Sequence, residues 1–121
     1  MVVAIYADKD PRGKRFLSTL AGRLDREEIR AWVIKRRQPL TLVHAGDRYT
    51  KIRVTFAAPG PRGFTAAARA GLGEFKNPEP TIVATISTGA SADRVLGFLV
   101  GLLTRHAAPL GVTGVGIPLQ G

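Results

Sequence analysis

Turn-forming residues divide this chain into short segments, and this division constrains the fold more than any other feature of the sequence. The turn signals lie at Asp10–Gly13, Pro39, Gly46–Asp47, Pro59–Pro61, Asn77–Pro80 and Pro109–Gly111. Because proline and glycine interrupt regular structure, each segment between two signals has room for only one or two short elements. The sequence therefore favours a fold assembled from many short strands and helices.

Hydrophobic periodicity assigns a type to each segment. It predicts strands at residues 2–7, 29–37, 40–45, 48–57, 81–87 and 112–117, and helices at residues 14–24, 63–75 and 91–107. In the segment 81–87, Ile82, Ala84 and Ile86 occupy alternate positions. Alternate residues of a strand share a face, so we expect these three on one side of a sheet and Val83 on the other.

The predicted element order is β-α-β-β-β-α-β-α-β. This order indicates a single α+β domain, with about three helices packed on one face of a largely antiparallel sheet. The last strand, helix and strand could form a parallel unit. Glycine comes first in Gly46–Asp47, which suits a two-residue type II′ turn between antiparallel strands and would place His44 opposite Tyr49.

Composition limits the chemistry that this chain can perform. It has 121 residues, 45% of them hydrophobic, and it has no cysteine. A chain of this length can bury a core, but it cannot form disulfides, thiolate metal sites or cysteine nucleophiles. Its two histidines leave little room for a histidine-rich metal site, so we expect no metal and no cofactor.

The same sequence gives an expectation for location. The longest strongly apolar stretch, residues 95–103, is too short to cross a bilayer. The N-terminus lacks the basic region that precedes the apolar part of a signal peptide. We therefore expect a cytoplasmic protein that makes no membrane contact, with association to the nucleoid as an alternative.

Positive charge is concentrated in the N-terminal half of the chain. The formal net charge is +9. Residues 1–62 contain 14 basic and six acidic side chains, whereas residues 63–121 contain four and three. The first part is basic and rich in predicted strands, and the second is apolar and weakly charged. A one-sided positive field attracts polyanions, so nucleic acid is the partner that we expect.

Two predicted strands combine cations with aromatic rings. Tyr49, Lys51 and Arg53 alternate on the outward face of strand 48–57, because Ile52, Val54 and Phe56 form its apolar face. This pattern is typical of a surface that binds single strands: cations meet phosphates, and rings stack on unpaired bases for about 1–3 kcal/mol per base. Such stacking is largely independent of sequence, since every base has a π-face.

The neighbouring strand 29–37 shows the same pattern. Alternation places Arg30, Trp32 and Arg36 on one face. Trp32 is either a stacking platform or a core residue covered by the arginine side chains. Arg37 ends a basic run with Lys35 and Arg36, which is either a phosphate clamp or a solvated strand end.

A second basic cluster lies where the first helix is expected to begin. Arg12, Lys14 and Arg15 flank the start of the predicted helix 14–24. Unpaired N–H groups at a helix N-terminus attract anions, and adjacent cations strengthen that attraction. Arg62 precedes the second predicted helix in the same way. These residues extend the predicted nucleic-acid surface.

Two other classes of function fit parts of the sequence. Asp8 and Asp10 follow the first predicted strand, and two carboxylates at a strand end can hold the Mg²⁺ of a nuclease. Asp10 before Pro11 is equally an ordinary turn residue. The third class is a structural assembly protein whose basic charge serves a protein partner. We expect a non-enzymatic protein, with the nuclease as the alternative.

The helix predicted at residues 91–107 is apolar on almost every side. Such a helix is either central to the fold or shared between subunits. Gly97 and Gly101, four residues apart, would allow another helix to approach closely. We therefore expect a homodimer or a higher homo-oligomer that forms through this helix.

The basic segments IRAWVIKRRQ and DRYTKIRVTF, together with the chain length, the α+β order and the apolar C-terminal part, carry a resemblance to a known family. The chain resembles the ThermoDBP-like single-stranded DNA-binding proteins of thermophilic archaea. The resemblance covers most of the chain and transfers no individual binding residue. It implies binding of single-stranded DNA, without sequence specificity, in a basic cleft with an apolar floor. RNA stays an alternative, because no residue identifies a contact to the 2′-hydroxyl.

Overall fold

One antiparallel sheet of six strands organises the molecule. The computed structural model describes residues 1–60, 63–72 and 79–117. Its elements are β1 (Val2–Tyr6), α1 (Lys14–Asp25), β2 (Trp32–Arg37), β3 (Leu40–His44), β4 (Arg53–Ala57), α2 (Ala66–Leu72), β5 (Ile82–Ile86), α3 (Ala92–Arg105), α4 (Ala107–Leu110) and β6 (Gly114–Gly116). The strand order is β2-β3-β4-β5-β1-β6. The predicted α+β class and element order are confirmed, and α4 adds a helix of only four residues.

The main core lies between one face of the sheet, here called the helix face, and the helices α1, α3 and α4. Its side chains include Phe16 of α1, Phe56 of β4 and Leu99 of α3, all essentially buried. The rings of Phe16 and Phe56 meet with their centroids 5.8 Å apart. Burial of large apolar side chains of this kind is the main source of stability for such a domain.

A smaller core lies on the opposite face of the sheet, where α2 packs. Ala68 and Leu72 of α2 contact a cluster that contains Val2 and Val83. Packing there is close, because a Cβ atom added at Gly71 would lie 2.5 Å from Val2 Cγ1. The expectation that all helices share one face is therefore wrong for α2. An apolar residue such as Val83 on the second face needs its own cover, and α2 supplies it.

Strand β5 confirms the predicted division of its side chains. Ile82, Ala84 and Ile86 belong to the main core, whereas Val83 belongs to the smaller one. Both β5 and β6 pair antiparallel with β1, which lies between them. The two strands are thus parallel to each other, as the alternative prediction proposed, but they are not adjacent.

The connection between β3 and β4 differs from the prediction. The two-residue turn at Gly46–Asp47 is wrong: residues 45–52 form a longer connection that contains a 3-10 turn at Asp47–Tyr49. Gly46 has a φ of −68°, whereas a type II′ turn needs a positive φ at its first central residue. The longer connection buries Ile52 and brings the Tyr49 ring to 5.5 Å from that of His44.

Strand β2 contains an irregularity that changes which side chains share a face. Val33 pairs with Val43 and Ile34 pairs with Leu42, but the register shifts between Ile34 and Arg36. A bulge adds one residue to a strand and reverses the direction of the side chains that follow. Arg36 consequently lies on the face of Val33, opposite to that of Trp32, and the predicted shared face of Trp32 and Arg36 is wrong.

Within residues 1–60, 63–72 and 79–117, no helix has both the length and the apolar character needed to cross a membrane.

Candidate nucleic-acid interface

Trp32 is a core residue. It is only 5% exposed and belongs to the main core on the helix face. Its ring meets the His44 imidazole edge-on, with the centroids 5.3 Å apart. Since a buried indole cannot offer its faces to a base, the core alternative for Trp32 is confirmed and the stacking alternative is wrong.

Tyr49 does not lie in a strand. It ends the 3-10 turn before β4, is half-buried and packs against the main core. Its ring meets that of His44 at 5.5 Å and that of Phe98 at 5.2 Å, both edge-on. The predicted outward strand position of Tyr49 is therefore wrong, because the longer connection turns this ring towards its aromatic neighbours.

Phe98 provides the exposed ring that the sequence analysis assigned to Trp32 and Tyr49. It lies on α3 and is 38% exposed, and it is one of the few large apolar side chains at the surface of the described residues. Its ring stacks on His44 with centroids 4.5 Å apart and an interplanar angle of 21°. The helical spacing of Arg94, Phe98 and Arg105, at i, i+4 and i+11, was the signal in the sequence for a basic-aromatic stripe on this helix.

A groove runs beside this stack, between α3 and residues 28–32. We call it the aromatic groove; its volume is about 710 Å³. The residues that line it include Arg30, Trp32, His44, Gly97, Phe98 and Arg105. A Cβ atom at Gly97 or at Gly101 would meet nothing within 4 Å, so these glycines leave a trough along the exposed side of α3. The volume suits a nucleobase or a similar flat ring.

The aromatic groove carries more positive than negative charge. The guanidinium groups of Arg30 and Arg105 lie on exposed residues that line it. Its acidic residue Glu28 is held in an ion pair with Arg26 at 2.9 Å. The groove therefore combines a stacking ring with cations that can meet the phosphates of a bound strand.

His44 is held in its neutral form by its surroundings. Its Nδ1 accepts a hydrogen bond of 3.1 Å from the backbone N–H of Gly46, which requires that nitrogen to be unprotonated. Burial lowers the pKa of His44 below its usual value. A neutral imidazole stacks on the Phe98 ring without the desolvation penalty that a buried imidazolium would carry.

Two of the predicted cations lie on the other side of the sheet. Arg36 of β2 and Arg53 of β4 are exposed on the face that α2 leaves uncovered. Within the described residues, this part of the face carries no aromatic side chain. The prediction of one sheet face that mixes arginines with aromatic rings is thus wrong. The bulge in β2 and the 3-10 turn before β4 separate the two kinds of residue, and Lys51 lies exposed in the connection that precedes β4.

Arg37 is engaged within the protein. Its guanidinium donates two hydrogen bonds to the carboxylate of Asp25 on α1, at 2.7 and 3.2 Å. These hydrogen bonds hold the pKa of Asp25 below its ordinary value. Because the carboxylate of Asp25 already neutralises the guanidinium of Arg37, Arg37 is a weaker candidate for a phosphate clamp than Arg30.

The start of α1 is occupied by a carboxylate of the same chain. Asp10 accepts hydrogen bonds from the backbone N–H groups of Phe16, at 2.8 Å, and Arg15, at 3.4 Å. Gly13 has a φ of 68°, which confirms the predicted turn. The anion site expected at these amides is therefore filled by Asp10. Arg12, Lys14 and Arg15 remain exposed cations around it, and Arg62 lies outside the described residues.

The same contact bears on the nuclease alternative. Asp10, one of the two proposed metal ligands, accepts hydrogen bonds from two backbone N–H groups in the first turn of α1, whereas Asp8 is exposed. In the described part of the chain, no three acidic or histidine side chains are grouped as metal ligands. Asp10 has a structural role that accounts for its place in the sequence.

Helix α3 is central to this chain. Val95, Leu99, Leu102 and Leu103 are all buried in the main core. The opposite side of the helix is exposed at Asp93, Arg94, Gly97, Phe98, Thr104 and Arg105. Of the two interpretations of this apolar helix, the central one accounts for its buried side chains, and the oligomer stays a prediction.

Comparisons of the chain with family models, with curated proteins and with solved structures found no match. The resemblance to the ThermoDBP-like proteins therefore stays a prediction.

Proposed function

We propose that this protein binds single-stranded nucleic acid, with single-stranded DNA favoured, by stacking unpaired bases on Phe98 in the aromatic groove. The observation that carries the proposal is the exposed Phe98 ring, stacked on a neutral His44 at 4.5 Å in a groove lined by Arg30 and Arg105. A ring backed by a second ring is a rigid platform, and a base can extend the stack by one more layer.

Stacking of this kind favours single strands over duplexes. In a duplex both faces of an inner base are covered by its neighbours, so the base cannot enter the groove without being unstacked. An unpaired base offers its π-face at little cost. Because each base has such a face, we expect binding that depends weakly on sequence.

The charge of the chain supports the same ligand. A net charge of +9 draws any polyanion towards the protein, and the cations at the groove act on the phosphates next to the stacked base. The proposed function includes no cleavage of the bound strand, since the carboxylate of Asp10, a ligand in the nuclease alternative, accepts hydrogen bonds from N–H groups at the start of α1.

Fluorescence anisotropy tests the proposal with labelled single-stranded DNA, single-stranded RNA and duplex DNA of equal length over a range of salt concentrations. The key variant is Phe98→Ala. Ile117→Ala is its matched control, since Ile117 is exposed to a similar degree, 41% against 38%, but lies outside the groove. Emission from Trp32, whose ring lies against His44, is followed in parallel with unlabelled strands.

We expect a preference for the single strands that persists as salt is raised. Phe98→Ala should weaken that binding by about 5- to 150-fold, the effect of losing one stack of about 1–3 kcal/mol, with the salt dependence unchanged. Ile117→Ala should bind as the unchanged protein does. Equal binding to all three nucleic acids, with no effect of Phe98→Ala, would contradict the proposal. Absence of binding near physiological salt would favour the structural assembly protein.

A further inference from the structure

We infer that the uncovered part of the sheet is a second binding surface, which holds the sugar-phosphate backbone of the strand whose base occupies the aromatic groove. This inference rests on the proposed function for the identity of the strand. We call the surface the open sheet face; its exposed residues are Val33, Arg36, Arg53 and Thr85, and between them lie Thr55, which is half-buried, and Thr41 and Val43, which are buried (5% and 8% exposed). It lies on the side of the sheet opposite to the main core, beyond the area that α2 covers.

Strand pairing arranges these residues in two rows. Val33, Val43 and Arg53 lie side by side across β2, β3 and β4. In the next row Arg36 pairs with Thr41, which pairs with Thr55, which in turn pairs with Thr85 of β5. Neighbouring strands are about 4.8 Å apart, so the four strands make a floor roughly 15 Å wide. The arginines lie at separate positions on it, in different rows and on different strands.

The charge of the open sheet face has one sign. Both Arg36 and Arg53 are exposed, and neither forms an ion pair with another described residue. The seven residues that define the face include no acidic side chain, and the remaining ones are valines and threonines. Such a surface is complementary to a polyanion.

The residues of the open sheet face favour the phosphate backbone of a nucleic acid as the bound ligand. It has no aromatic ring, so it offers nothing on which a base could stack. A second copy of this chain placed face to face would bring like charges together, and this arrangement is unfavourable. The hydroxyl of Thr85, on an exposed residue, can donate to a phosphate oxygen while the arginines supply charge.

Two adjoining grooves lead from one surface to the other across the edge of the sheet, and the second groove also contains Asp25, which pairs with Arg37, and Glu27. Arg30 and Trp32 line the aromatic groove and also an adjoining groove of about 700 Å³. Val33 lines this second groove, is 50% exposed, and begins the open sheet face. In the described part of the chain β2 is an edge strand, so no further strand blocks this route. A flexible single strand can therefore bend over β2, whereas a stiff duplex cannot.

Ligands without bases distinguish the contribution of the open sheet face from that of the aromatic groove. The ligands are inorganic polyphosphate, an abasic oligonucleotide and an oligothymidine of equal length, each titrated over a salt series. The double variant Arg36→Gln/Arg53→Gln removes the two charges of the open sheet face. Arg48→Gln is the matched control: an exposed arginine of the same charge, in the 3-10 turn before β4, which lines neither groove and is not part of the open sheet face. Arg36→Lys/Arg53→Lys retains the charge and guards against a loss caused by misfolding.

We expect the double glutamine variant to lower the salt slope for oligothymidine by about 1.4, since each lost contact to a single strand contributes about 0.7. Its affinity for polyphosphate and for the abasic strand should fall in parallel, and the double lysine variant should keep the slope. An unchanged slope would overturn the inference. So would an Arg48→Gln variant with the same loss per charge, or failure of the unchanged protein to bind polyphosphate.

The proposed function fails in a different way. If Phe98→Ala binds oligothymidine as well as the unchanged protein does, stacking in the aromatic groove is wrong, whatever the arginine variants show. If Phe98→Ala weakens oligothymidine binding but the arginine variants have no effect, the groove stands and the open sheet face does not.

Discussion

The two sides of strand β2 show how one short segment can serve two different purposes. Trp32 points into the main core and is 5% exposed, whereas its neighbour Val33 is 50% exposed on the open sheet face. The aromatic rings lie on the core side, where they gain most from burial. The cations lie on the side that water reaches. The comparison teaches that Arg36 and Arg53, which were expected beside Trp32 and Tyr49, lie on the opposite side of the sheet from those rings.

The largest expected effect is a difference in the free energy of unfolding between variants of Trp32 and Val33. Trp32→Ala should lower the free energy of unfolding by about 3–5 kcal/mol, because it leaves a cavity in the main core. Val33→Ala should change it by less than about 0.5 kcal/mol, since the side chain is half exposed. Urea unfolding followed by far-UV circular dichroism measures both. Similar losses for the two variants would break the distinction between the sides of β2.

A smaller effect tests the role of Asp10 at the start of α1. Asp10→Ala should cost about 1 kcal/mol of stability, because the N–H groups of Phe16 and Arg15 lose their acceptor. Asp8→Ala, at an exposed residue, is the control and should change stability little. Thermal unfolding at neutral pH gives the two values. A protein that loses Mg²⁺-dependent cleavage of an oligonucleotide in both variants would instead support the nuclease alternative.

A substitution at Gly97, on the exposed side of α3, should change stability and binding in opposite directions. Gly97→Ala should raise the free energy of unfolding by up to about 1 kcal/mol, because alanine favours a helix and its Cβ meets nothing within 4 Å. The added methyl group narrows the trough beside Phe98, so binding of a single strand should weaken. Chemical unfolding and anisotropy on the same sample measure the two effects. A variant that gains stability and binds unchanged would show that the trough does not contact the strand.

The smallest effect concerns pH and His44. Because burial lowers its pKa in the folded protein, the unfolded chain binds a proton more tightly than the folded chain does. Stability should be unaffected well above pH 6.5, the ordinary value for histidine, and should fall as the pH drops below it. The fall levels off below the folded-state pKa.

Unfolding measured at pH 7.5 and at pH 5.5 tests this dependence. His44→Gln should show a smaller difference between the two conditions. His106→Gln is the control, since burial lowers the pKa of His106 in the same direction but away from the Phe98 stack. A difference in stability that is unchanged in His44→Gln would remove His44 from this account.

Hydrophobic periodicity predicted the strands whose apolar residues pack in the two cores. Strand β5 is the clearest case, since Ile82 and Val83 each lie in the apolar cluster on their own side of the sheet. Alternation is informative there because Ile82 and Val83 are buried on opposite faces, and a shift of one residue in the strand register would exchange the two faces.

The candidate site could not be placed in the same way. Alternation assumes a regular strand, and the bulge before Arg36 adds a residue that leaves no mark in the pattern. The dipeptide Gly46–Asp47 resembles a tight turn, but burial of Ile52 and the contacts of Tyr49 stabilise a longer connection. Phe98 lies in an apolar helix, and the stripe that it forms with Arg94 and Arg105 is a weaker indication of the exposed side than the packing of the helix.

Photocrosslinking of a single strand with halogenated bases, followed by peptide mass spectrometry, tests most directly whether the bases bind where the aromatic rings are. An oligonucleotide that contains 5-bromouracil is irradiated in complex with the protein, and the modified peptides are sequenced. The account predicts adducts within the peptides of the aromatic groove, at Phe98 or His44. Adducts confined to the open sheet face or to the start of α1, with none in those peptides, would contradict it.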